Sequence, residues 1–133
     1  MENYCETGKP TVQLYMNENI AWQKKMSFQN NELPRLEEMF QEVLSVPGGP
    51  GREINNGDLA LLDQLNNQKL RMMELNTGLD RQQWRLENDT LHNPMHELRV
   101  LCTQDILRQC IKDVEKRYAD LKSSLLKYIT AVL

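Results

Sequence analysis

The chain has 133 residues, a formal charge of −3 and 40% apolar content, with only 6% aromatics, the size of one domain or of one piece of a helical assembly. Gly and Pro together supply 11 residues, five of them inside Pro47 to Gly51, which argues against collagen, mucin stalks and all-β sandwiches. The 16 basic residues are outnumbered by 19 acidic ones, whereas a phosphate-binding surface needs a basic excess; nucleic acid is therefore not an expected partner.

Residues 1–10 read as a flexible arm. From residue 11, apolar or aromatic side chains recur at Tyr15, Trp22, Met26, Leu33, Leu36, Phe40 and Val43, with polar Asn19 and Gln29 on the same stripe. Steps of three and four mark one helix face. Pro34 removes one backbone bond inside this pattern. The stripe keeps its phase on both sides, so the spacing predicts one helix over 11–46 with a kink at Pro34. The competing reading starts a second helix near Asn31, with Pro34 in its first turn.

The glycine–proline run opens a loop expected over 47–57. Its composition also suits an engineered or shortened connection. Asp58 is a candidate N-cap for a second helix over 58–91. That helix has a main stripe of Leu61, Leu65, Met72, Leu75, Leu79 and Leu86, with Gln68 and Gln82 between them. A second stripe, Leu59, Leu62, Met73, Trp84 and Leu91, lies about 100° around the cylinder. A helix apolar on two sides is expected to be covered on two sides.

His92-Asn93-Pro94 marks the next boundary, with Asn93 as cap and Pro94 at the first helical position. The third helix, 94–133, carries the most regular stripe: Leu107, Ile111, Val114, Tyr118, Leu121, Leu125, Tyr128 and Val132. This suits a coiled-coil seam. The short second connection forces antiparallel neighbours. The predicted fold is all-α: one elongated three-helix antiparallel bundle or coiled coil over 11–133. The plan resembles the three-helix architecture of spectrin-type repeats in shape.

Chemistry-bearing constellations do not emerge. His92 and His96 stand four apart beside Glu97, but Pro94 between them places His92 outside the helix, so a paired metal site fails. Cys102 and Cys110, eight apart, lack zinc-ligand spacing and rise by about 12 Å on a helix, too far for a disulfide. Cys102 and His96 fall on different helix sides, which defeats a nucleophile–base pair. Glu37, Glu38 and Glu42 read as a solvated face, because acid/base work needs a cleft that shifts their pKa. The third helix has seven basic residues against five acids, which suits complementary pairing inside the bundle.

No catalytic residue, cofactor, metal or small-molecule substrate is expected, and no transmembrane segment, since the apolar runs are short. The start MENYCETGKP lacks a signal pattern, and Glu2 stands where N-myristoylation needs glycine. With Cys5, Cys102 and Cys110 as reduced thiols, the expectation is an intracellular protein, cytoplasmic or nuclear.

The expected function is non-enzymatic: a helical scaffold or assembly subunit binding another helical protein or itself. A four-helix adaptor or ligand-type bundle is the alternative, and an enzyme of unfamiliar helical class ranks below it. Helix three is expected to outrun its neighbours by one to two turns. Candidate partner contacts are Trp84, Leu91, Tyr118, Leu121, Leu125, Tyr128, Ile129 and Val132. The competing role for the terminal cluster is core, covered by the first helix.

Overall fold

The computed structural model describes residues 3–45, 56–88 and 94–132, with side chains described over 12–45, 57–88 and 94–131. They form three α-helices, α1 (Asn3–Leu44), α2 (Asn56–Asn88) and α3 (Pro94–Val132). All three pairs pack together as a three-helix bundle. Of the loop expected over 47–57, residues 47–55 lie outside the described residues, whereas Asn56 and Gly57 already belong to α2; Leu91, His92 and the Asn93 cap also lie outside the described residues.

α1 runs through Pro34 without a break. Pro34 and Asn30, four residues earlier, are both exposed, so water can satisfy the carbonyl that the proline leaves without a donor. Leu33 and Leu36 stay buried on either side, and this continuous apolar contact holds one helix through the defect. The split that would give four helices does not occur.

The start of α1 corrects the expected arm. The helix begins at Asn3, not near residue 11, and carries Gly8 and Pro10 within it. At 42 residues it is longer than α3 at 39, so the premise that helix three outruns a shorter first helix fails. Asp58 is also relocated. α2 begins at Asn56, and Asp58 sits in its first turn, almost fully buried. A carboxylate there still favours the positive end of the helix dipole.

Pro94 opens α3, as its lack of an N–H allows. The end of α1 tightens: the Ser45 amide donates to the carbonyls of Gln41 and Glu42 at 3.2 Å each, and its hydroxyl reaches the Glu42 carbonyl at 2.8 Å. At the end of α2, Asn88 Nδ2 donates to the Trp84 carbonyl at 3.0 Å. Both devices satisfy carbonyls that a helix terminus leaves open.

The chain divides into two compact units. Unit 1 comprises Met1–Met26 with Met73–Lys112, and unit 2 comprises Ser27–Met72 with Asp113–Leu133. In each, α1 and α3 run parallel while α2 opposes them. In unit 1, Gln82 meets Val100 and Gln104, and Gln104 meets Asn19. In unit 2, Gln68 Nε2 donates to the Val114 carbonyl at 3.2 Å, and Phe40 packs edge-on to Tyr128.

Tyr15, Leu86 and Val100 form one cluster in the unit 1 core, with Val12 and Met16 against it. Asn19, Gln82 and Gln104 are also fully buried in unit 1. Gly78 brings α2 close to α3: a Cβ there would stand 3.3 Å from Leu107 Cδ2. In unit 2, Phe40, Leu65, Met72 and Leu125 are buried almost completely. Each such side chain is worth roughly 1.5–3 kcal/mol on full burial.

Candidate interaction surface

Most of the expected contact cluster in α3 is core. Tyr118, Leu121, Leu125 and Ile129 are buried within unit 2, and Tyr128 is half-buried. The Tyr128 ring meets Phe40 at a centroid distance of 5.1 Å and 66°, an edge-to-face geometry that aromatic quadrupoles favour. The late turns of α1 supply this cover because α1 and α3 run parallel, which sets Phe40 beside Tyr128. The side chain of Val132 lies outside the described residues.

Ion pairs seal the same region. The Tyr118 hydroxyl donates to Glu32 Oε1, and Lys122 Nζ reaches Glu32 Oε2 at 3.0 Å. The Tyr118 hydrogen bond, followed by Lys122, holds the Glu32 carboxyl below the usual carboxylate range against the opposing effect of burial. Burial first, then the same carboxylate, pushes the Tyr118 phenol well above its usual value. Lys69 pairs with Glu37. Arg71 and Arg117 share Asp113 at 3.6 and 2.9 Å. Lys122 of α3 thus meets an acid of α1, while Lys69 and Arg71 come from α2 and Arg117 pairs within α3.

Trp84 is placed differently. It is 63% exposed, on the side of α2 opposite the buried Gln82 and Leu86. Met73, on the same outer strip, is exposed as well. The second stripe of α2 therefore stays open in unit 1.

A further apolar strip opens on α3, and the sequence reading missed it. Met95, Leu98 and Ile106 are 68%, 55% and 62% exposed, and the exposed thiol of Cys102 lies between them. Steps of three, four and four keep these positions on one side of the helix, facing away from the buried stripe of Val100, Gln104 and Leu107. Beyond Ile106 the same side turns polar: Gln109, Asp113, Lys116, Arg117 and Asp120 are exposed. The spacing was legible, but the stronger stripe from Leu107 onward dominates the periodicity of the same helix.

A polar groove of about 280 Å³ in unit 2 is lined by Gln64, Asn67, Gln68, Arg71, Arg117, Asp120 and Leu121. Its two guanidinium groups share one carboxylate, Asp113, with Arg117 the closer at 2.9 Å. Cys110 is exposed and forms no disulfide among the described residues. His96 is half-buried near the start of α3, and Glu38 and Glu42 are exposed. Among the described residues no three His, Cys, Asp or Glu side chains gather as metal ligands, and no helix is long and apolar enough to cross a membrane. Compared with family models, curated proteins and solved structures, the chain matches none.

Proposed function

We propose that the chain is a non-enzymatic helical assembly subunit that binds another helical chain or itself through unit 1. The observation that carries this reading is the exposed strip of Met95, Leu98 and Ile106 on a helix whose opposite side is already buried. Soluble surfaces tolerate single apolar residues, but a contiguous strip favours a protein contact. The 3–4–4 spacing matches the seam of a helix laid alongside. Trp84, on the outer strip of α2, supplies an aromatic anchor of the type that dominates interface energies.

The test is molar mass by light scattering, over a range of concentrations, for the natural chain and for Leu98→Glu with Ile106→Glu. Association by the natural chain, lost in the double variant with helicity retained, supports self-assembly. If the natural chain is monomeric, a photo-crosslinking residue at position 98 reads the other case in cells: a discrete crosslinked helical protein supports a heterologous partner. A monomer without a crosslinked partner overturns the reading.

A further inference from the structure

Unit 1 interrupts its apolar seams with one polar layer to which all three helices contribute. Asn19 of α1, Gln82 of α2 and Gln104 of α3 are fully buried. Gln82 Nε2 donates to the Val100 carbonyl at 2.9 Å and to Gln104 Oε1 at 3.1 Å. Gln104 Nε2 donates to Asn19 Oδ1 at 3.1 Å and to Glu18 Oε1 at 3.2 Å. Asn19 Nδ2 reaches Gln83 Oε1 at 3.4 Å. Arg108 closes the edge with a two-pronged hold on Glu18: Nη2 lies 2.8 Å from Oε1, and Nε lies 3.2 Å from Oε2.

Stability alone does not account for this layer. Gln82 Oε1 is buried without a hydrogen-bond partner, and such a group costs about 1–3 kcal/mol. Leucines at these three positions would fill similar volume without polar atoms. The apolar seam of α1 is also weakly informative about alignment. A slide of one heptad exchanges one large apolar residue for another at most levels, so apolar contact separates the registers poorly.

The polar layer does separate them. Sliding α1 by seven residues one way sets Met26 in place of Asn19 and Lys25 in place of Glu18. Sliding it the other way sets Val12 and Thr11 there. In both cases Gln104 Nε2 loses two acceptors and Arg108 loses its α1 carboxylate, keeping Asp105 on its own helix; in the first, an ammonium group approaches Arg108 instead. Gln29, the other buried amide of α1, is ten residues from Asn19 and cannot take its place by a heptad slide.

We infer that the Asn19–Gln82–Gln104 layer, with Glu18 and Arg108 at its edge, selects the register of α1 against α2 and α3 in unit 1, and does so at a cost in stability. Buried polar groups that fix alignment in helical assemblies are the best-attested use of such residues.

The experiment uses the full chain with Cys5, Cys102 and Cys110 replaced by Ser and spin labels at Asn17→Cys and Gln109→Cys, both exposed positions. Pulsed electron resonance then reads the label distance. The parent should give one narrow distance. Asn19→Leu with Gln82→Leu and Gln104→Leu should melt no lower than the parent and show a second distance, arising from a label shift of about 10 Å along the helix axis for one heptad. One unchanged distance overturns the inference. A lower melting temperature or failure to fold also overturns it, because the layer would then be a source of stability. Asn19→Leu alone, a change of small volume, gives an independent reading: a second distance supports register selection and an unchanged one rejects it.

Discussion

Unit 1 buries a hydrogen-bonded layer of three amides and leaves an apolar strip open on α3, whereas unit 2, which buries Gln29 and Gln68, presents a charged outer side on α3. In unit 2 Phe40, Leu65 and Leu125 are interior, and the outer side of α3 carries Asp113, Lys116, Arg117 and Asp120. In unit 1 Asn19, Gln82 and Gln104 are interior, and the outer side of α3 carries Met95, Leu98 and Ile106. The same three helices thus serve two ends. On the proposals made above, unit 2 secures the fold, while unit 1 uses its interior layer for alignment and its outer strip for contact.

The largest test of this contrast strikes the interior of unit 2. Phe40→Ala removes a fully buried ring and its partner face for Tyr128; it should destabilise by about 3–5 kcal/mol, read by denaturant unfolding. A loss below about 1 kcal/mol would show that unit 2 is not the secured end.

Next comes Gln104→Leu alone, which leaves Gln82 and Asn19 with broken bonds and should cost about 1–3 kcal/mol. The triple leucine variant should recover that loss. If the single and triple variants are equally destabilised, the amides are not acting as one layer.

A third test uses pH. Because the Glu32 carboxyl is held below its ordinary value, its contribution is present above the unfolded carboxylate pKa and is lost as pH falls through the lower folded value. The Tyr118 phenol is raised, so its contribution is full below about pH 10 and disappears as pH climbs through the higher folded value. Tyr118→Phe should cost about 1 kcal/mol near neutrality and flatten both limbs of a melting-temperature profile. Unchanged limbs would remove Tyr118 and Glu32 from the account of unit 2.

The smallest expected effect is on the outer strip. Leu98→Gln and Ile106→Gln should each alter the stability of the single chain by no more than about 0.5 kcal/mol, read by thermal melting under conditions where the chain is monomeric. A larger loss would mean that the strip belongs to the core of unit 1 and that the contrast between the units is overstated.

The fold was legible because apolar spacing carries phase. Leu33, Leu36 and Phe40 stay in step across Pro34, and that continuity outweighs one missing hydrogen bond. Pro94 marked the start of α3 for an equally local reason. The surface was read less well. Tyr118, Leu121 and Leu125 form a stripe, but a stripe says only that something covers it, and the cover here is α1. Met95, Leu98 and Ile106 form a shorter stripe that the longer one hides. Which stripe remains open depends on how far each helix reaches. Gly8 and Pro10 masked the true start of α1, because both are poor helix residues.

The two tryptophans sit in unit 1, one on each side of its wall. Trp22 is buried, with the Arg108 guanidinium 6.0 Å from its ring, and Trp84 faces outward. Tyr118 and Tyr128 lie in unit 2. Indole fluorescence therefore reports the state of one unit, while phenol titration at these two residues reports the other. Trp84→Phe would leave a signal from the unit 1 interior alone; Trp22→Phe would leave one from its outer face, sensitive to whatever docks there. The molecule carries separate optical probes for the opening of its interior and for the docking proposed at its surface.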